Sequence, residues 1–99
     1  MNTLLKPGDM IRIREDIEEG ITYKMFNDNA IKNGWIKEDM LPAGTLVKIV
    51  NISHKQYVVN AIDEVDRPYS DIDDDFWLYT DEMFDPELLV LLLEDRYNL

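Results

Sequence analysis

The residues best suited to chemistry lie between Asp63 and Glu82. Asp71, Asp73 and Asp75 take positions 1, 3 and 5 of a loop that puts Leu78 at position 8 and Glu82 at position 12. Oxygen donors at this spacing suit a hard divalent cation such as calcium. Position 6 is Phe76, where such a loop needs glycine for its sharp turn. The preceding stretch, residues 66–70, contains Pro68 and does not read as a helix. The tract therefore reads first as a solvated acidic segment. Divalent-cation binding is kept as an alternative, and no metal ligands are assigned.

The same tract can be read as a protein-binding face. Residues 61–85 carry ten acids and a single base, Arg67. Closely spaced carboxylates resemble a phosphate backbone and attract a basic surface, raising both encounter rate and affinity. The candidate partner-binding residues are Asp63, Glu64, Asp66, Asp71, Asp73, Asp74 and Asp75. A partner with a basic, nucleic-acid-binding surface is the expectation, and direct nucleic-acid binding is not.

Other constellations are weaker. His54 is the only histidine, and its flanks Ser53 and Lys55 complete no triad. Carboxylate pairs such as Asp73 and Glu82 arise by chance in a chain this acidic. The four glycines form no phosphate-cradling loop, and without cysteine there is neither a thiolate zinc site nor a disulfide. No catalytic residue and no cofactor is assigned, and a non-enzymatic protein is expected. Trp35, Trp77, Tyr79 and Phe84 could line an aromatic groove for a proline-rich peptide. Aromatic residues at strand spacing more often fill a core.

These residues belong to a chain of 99 residues with a net charge of -11 and 45% hydrophobic content. That length makes one domain with one modest core. Residues 1–60 balance eight acids against eight bases, so most of the excess charge falls in one quarter of the chain. Repulsion from phosphates argues against nucleic acid and anionic membranes. The opening residues MNTLLKPGD hold no apolar leader, and the longest apolar run is six residues, Leu88 to Leu93. A cytoplasmic protein with no membrane span is expected.

The elements that position these groups follow from pattern and punctuation. Pro7-Gly8-Asp9 is a turn, and Met10 to Arg14 alternates as a half-buried strand. Residues 21–42 form an excursion. Asn27, Asp28 and Asn29 offer helix caps, and Ile31 and Trp35 stand four apart, so the spacing predicts one or two helical turns there. Residues 44–52 and 56–63 are β-branched strands joined by a turn at 53–55. A short aromatic strand is expected at 76–79, then a helical turn capped by Thr80, then a helix opening at Pro86. On that helix residues 88–93 are apolar all round. Leu88, Leu89, Leu92 and Leu93 are candidates for self-association as a homodimer through residues 86–99.

Taken in order, these features resemble a known group. A Gly-Asp opens a basic alternating strand, and an excursion with Tyr23 and Met25 follows. Next come a Gly-led Val/Ile strand, a Tyr-Val-Val strand and the closing run Phe76 to Phe84, FWLYTDEMF. This resembles the small SH3-like barrel proteins of phages and prophages of Gram-positive bacteria, the YorP type among them. The likeness spans roughly residues 6–85. It implies a mainly β fold and a mobile-element origin, and names no reaction. The expected architecture is an SH3-like barrel over 1–85, with a short helical insertion after the first strand, and a C-terminal helical extension over 86–99 packed on the barrel or on a second subunit. The expected function is an acidic protein-interaction module, an inhibitor that mimics DNA and binds a basic, nucleic-acid-binding surface of a host or defence protein. The alternative is a divalent-cation-binding or structural accessory protein of a mobile element.

Overall fold

A computed structural model describes residues 3–62 and 77–97. Among them the chain is mainly β, with one helix near its C-terminal end. The elements are β1 (Met10–Arg12), β2 (Thr22–Met25), β3 (Asp28–Gly34), β4 (Leu46–Ser53), β5 (Gln56–Ala61), a one-turn 3-10 helix (Asp81–Met83) and α1 (Pro86–Tyr97). Two antiparallel sheets result: β1-β4-β5, and the hairpin β2-β3.

Turn chemistry sets the entry to the first sheet. The Asp9 amide donates to the Lys6 carbonyl at 3.0 Å, closing a turn with Pro7 and Gly8 in the middle. Gly8 has φ +99°, the positive value a type II turn needs at its third residue. At the far end of the sheet, His54 (φ 51°) and Lys55 (φ 63°) join β4 to β5. Two successive residues at positive φ mark the tight hairpin turn whose twist matches that of its strands. Neither residue is glycine, so the turn carries backbone strain.

The excursion after β1 is a β-hairpin and not a helical insertion. Tyr23 and Met25 are buried while Thr22 and Lys24 are exposed, the two-residue period of a strand. The Ile31–Trp35 spacing of four residues fits a strand face as well as a helix turn. Asn27 and Asp28 lie at the hairpin turn instead of capping a helix, and the Asp28 carboxylate accepts the Ala30 amide at 3.0 Å. In β4 the register shifts between Ile49 and Asn51. This bulge places one extra residue in the strand, so Val47, Ile49 and then Ile52 pack on the core.

The predicted strand at 76–79 is reduced to one bridge, Tyr79 to Tyr57; Trp77 is exposed and Phe76 lies outside the described residues. A second single bridge joins Phe84 to Ile13. Residues 79–84 therefore run from the β5 edge of the first sheet to its β1 edge. Tyr57 and Tyr79 exchange backbone hydrogen bonds at 2.8 and 2.9 Å, and Arg14 and Asp85 donate to Met83 and Arg12 at 3.0 and 2.9 Å. No continuous ladder closes a barrel among the described residues.

Thr80 does not act as a side-chain cap. Its backbone is extended, its side chain makes no cap hydrogen bond, and its hydroxyl is buried without a partner. The cap of α1 is Asp85, whose carboxylate accepts the amides of Glu87 (2.9 Å) and Leu88 (3.4 Å) ahead of Pro86 in the first turn. The core gathers Leu5, Ile11, Ile13, Val47, Ile49, Tyr57, Met83, Phe84 and Leu89, each 2% exposed or less. Arg96 anchors the other end of α1, donating to the Leu4 carbonyl at 2.9 Å and to the Asp9 carboxylate.

Candidate functional site

Arg14 stands where three segments meet, just after β1, beside the 15–20 loop and against the 3-10 helix. Its guanidinium grips Asp16 with two hydrogen bonds, Nε to Oδ1 at 2.6 Å and Nη2 to Oδ2 at 3.0 Å. A third runs from Nη1 to the Glu82 carbonyl at 3.0 Å, and the group lies 5.8 Å from the centre of the Tyr23 ring. The fork matches the carboxylate, so the pair is fixed in direction as well as charge. The hydrogen bond from Arg14 holds the Asp16 carboxyl below its ordinary range, and the same bond raises the Arg14 value.

Two open clefts share this pair as a wall. One, of about 350 Å³, is lined by Arg14, Glu15, Asp16, Asp85, Pro86 and Glu87. The other, of about 370 Å³, is lined by Arg14, Asp16, Glu18, Ile21, Thr22, Tyr23 and Glu82. Across both, six carboxylates face one cation, and that cation is already paired with Asp16. Glu15, Asp16 and Glu18 come from a part of the chain that is neutral in sum. Folding sets them beside Glu82, Asp85 and Glu87, more than sixty positions away. The order of residues along the chain holds no signal for that juxtaposition.

Behind the clefts lies a buried polar cluster. The Tyr57 hydroxyl donates to Asp81 Oδ1 at 2.6 Å, and the Leu5 amide donates to the same hydroxyl oxygen at 3.2 Å. The Phe26 amide donates to Asp81 Oδ2 at 2.9 Å, and the neighbouring Lys24 amide donates to Glu82 Oε1 at 2.6 Å. Two acidic side chains of the 3-10 helix thus satisfy backbone donors of β2 and its turn, docking the hairpin on the first sheet. Asp81 has no exposed surface. Burial raises its pKa, while the Tyr57 hydroxyl and the Phe26 amide oppose the rise by stabilising the charged form. Burial, with the hydrogen bond to Asp81, pushes the Tyr57 phenol well above its ordinary value. The sequence pattern places Asp81 at the start of a helical turn after Thr80, where an acid suits the helix dipole, and the structure makes it the most buried carboxylate among the described residues.

The acidic residues singled out from sequence, Asp63, Glu64, Asp66, Asp71, Asp73, Asp74 and Asp75, lie outside the described residues. The calcium-like spacing falls there too, apart from Leu78 and Glu82. Among the described residues no three His, Cys, Asp or Glu side chains are placed to hold a metal ion. The aromatic groove does not form as drawn: Trp35, Tyr79 and Phe84 are buried, and only Trp77 is exposed. Trp35 Nε1 donates inward to the Leu41 carbonyl at 3.0 Å, and the Leu41 amide donates to the Tyr79 hydroxyl at 2.8 Å. His54 sits exposed at its hairpin tip.

The leucines of α1 divide by face. Leu89 is 1% exposed, and Leu88, Leu92 and Leu93 pack partly buried against the same core. All four candidates for self-association thus rest on their own chain. Among the described residues of α1 the exposed large apolar side chains are Val90 (52%) and Leu91 (60%). No helix among the described residues is long and apolar enough to cross a membrane. Comparison with protein-family models, curated proteins and solved structures finds no match to this chain.

Proposed function

We propose that this chain is a non-enzymatic acidic interaction module. In this reading the fold is an SH3-like barrel, the origin is a phage or prophage, and the protein works in the host cytoplasm. Its partner is a host or defence protein with a basic, nucleic-acid-binding surface, which it blocks by occupying the place of the phosphates. The observation that carries the reading is the pair of clefts around Arg14. Six carboxylates line them, and their one cation is already neutralised by Asp16. Complementary charge of this kind raises association rate and specificity. The acidic 63–75 segment adds seven further carboxylates to the same chain. The barrel reading is supported by residues 79–84, which reach both edges of the first sheet in the manner of a closing strand.

The test is affinity capture from a Gram-positive host lysate with three baits. These are the wild type, a cleft variant (Glu15→Lys, Glu18→Lys, Glu87→Lys) and a segment variant (Asp73→Lys, Asp74→Lys, Asp75→Lys). A nucleic-acid-binding protein held by the wild type, displaced by duplex DNA and lost with either variant supports the reading. Capture that survives both reversals, or that DNA does not displace, refutes it.

A further inference from the structure

The outward face of α1 has a composition that selects its occupant. Residues 87, 90, 91, 94 and 95 are the exposed positions among the described side chains from Glu87 to Arg96, and at 100° per residue they form one stripe. The opposite stripe holds Leu88, Leu89, Leu92, Leu93 and Arg96, which the chain itself engages. The exposed stripe has an apolar centre, Val90 and Leu91. Glu87 lies one turn before it, and Glu94 and Asp95 one turn after it. Its charges are all acidic.

We infer that this stripe is a docking site for a basic amphipathic segment of another protein, one presenting an apolar side chain flanked by lysines or arginines. A second copy of this chain fits badly. Laid antiparallel, it sets Glu87 against Glu94 and Asp95 of its twin; laid parallel, it sets each acid against itself. Two exposed apolar side chains also fall far short of the roughly 800 Å² per partner of a stable symmetric interface. Anionic bilayers meet the same repulsion. A short basic segment pairs with the acids at both ends and covers Val90 and Leu91 in the middle. The stripe shares Glu87 with one acidic cleft, while Val90, Leu91, Glu94 and Asp95 lie outside both clefts.

The experiment uses the full chain and three labelled helical peptides. The first carries a Leu pair flanked by lysines, the second the same pair flanked by glutamates, and the third lysine flanks with glutamines replacing the Leu pair. Binding is read by fluorescence anisotropy at about 0.15 M salt, where long-range attraction is screened. The Lys-flanked Leu peptide is expected to bind at least about tenfold more tightly than either control. Leu91→Gln and Val90→Gln each weaken it about tenfold, the loss that goes with leaving one such side chain uncovered. Both positions are exposed, and circular dichroism confirms the folded state of each variant. The cleft reversals at Glu15 and Glu18 leave this binding intact, so its fate is read apart from that of the clefts. Affinity unchanged by both glutamine variants overturns the inference. So does a wild-type dimer in sedimentation that Leu91→Gln dissolves, or vesicle binding with the same dependence.

Discussion

Replacing Tyr57 with phenylalanine tests the buried cluster most directly. The change removes one oxygen and leaves the ring that packs 5.7 Å from Phe84 in place. Two groups lose a partner. Asp81 Oδ1 loses its 2.6 Å donor, and the Leu5 amide loses its acceptor. A hydrogen bond to a charged group contributes about 1.5–3 kcal/mol, and a stranded buried amide costs about 1–3 kcal/mol. Allowing for relaxation, the variant is expected to lose about 2–4 kcal/mol at pH 7, or roughly 10–25 °C in Tm. The pH dependence distinguishes this cause from loss of packing. Asp81 has a folded pKa above its ordinary 3.8, so the folded state takes up its proton more readily than the unfolded one. Its charged form therefore costs stability above the raised value. That cost is relieved as pH falls through the raised value towards 3.8. Without the Tyr57 hydroxyl the value rises further. The deficit of Tyr57→Phe should then be largest at neutral pH and shrink as pH falls. Urea unfolding of wild type and variant, followed by circular dichroism at pH 7 and at mildly acidic pH, reads both quantities. A variant within about 0.5 kcal/mol of wild type at pH 7, or a deficit that ignores pH, would refute the reasoning.

Further outcomes follow from other elements. His54→Asn with Lys55→Gly relieves two positive φ angles and should stabilise the chain by about 1–2 kcal/mol in urea unfolding, because glycine and asparagine visit that region readily. Leu89→Ala should cost about 2–5 kcal/mol as a core cavity, while Leu91→Ala stays within about 0.5 kcal/mol of wild type; equal effects would mean that α1 is docked on another face. The Tyr79 phenol is pushed up by burial to about 12 from its ordinary 10, so stability present below pH 10 should drain away between these values. Tyr79→Phe should flatten that alkaline slope by about 1.4 kcal/mol per pH unit, measured by denaturant unfolding across the range.

How much of this was legible in the sequence differs by element. The β4–β5 hairpin could be read because a β-branched run, a short polar turn and a second such run leave little else to form. The helix from Pro86 was equally clear, since proline suits a first turn and the leucines continue from it. The β2–β3 hairpin was not, because Ile31 and Trp35 stand four apart, a spacing common to both periodicities. The bulge after Ile49 shifts the register without a glycine to announce it. The leucine run was apolar on every side, so its own pattern could not choose an inward face. That choice comes from Arg96, whose ties to Leu4 and Asp9 fix the rotation of α1. The site was least legible of all. Arg14 reads as the polar side of a strand, and the acids around it assemble only when residues 82–87 return to the first strand. Asp81 looks like an ordinary helix-start acid until the Tyr57 hydroxyl is found beside it.

The course of residues 79–84 has a consequence for how the chain acquires its structure during synthesis. Ile13 bonds Gly44 and Thr45 on one side but meets its neighbour on the other only at Phe84, and Asp9 meets its ion-pair partner only at Arg96. Contacts this distant in sequence form late, because the loop entropy must be met before they can stabilise anything. On the ribosome β1, β4 and β5 can pair once residue 61 has emerged. Both outer edges of that sheet then stay open until the next two dozen residues arrive. During that interval the first sheet is a nascent ribbon with two unsatisfied borders, one of them β5 with its buried tyrosine and valines. The last fifth of the chain thus sets the time at which the first four-fifths can complete its fold.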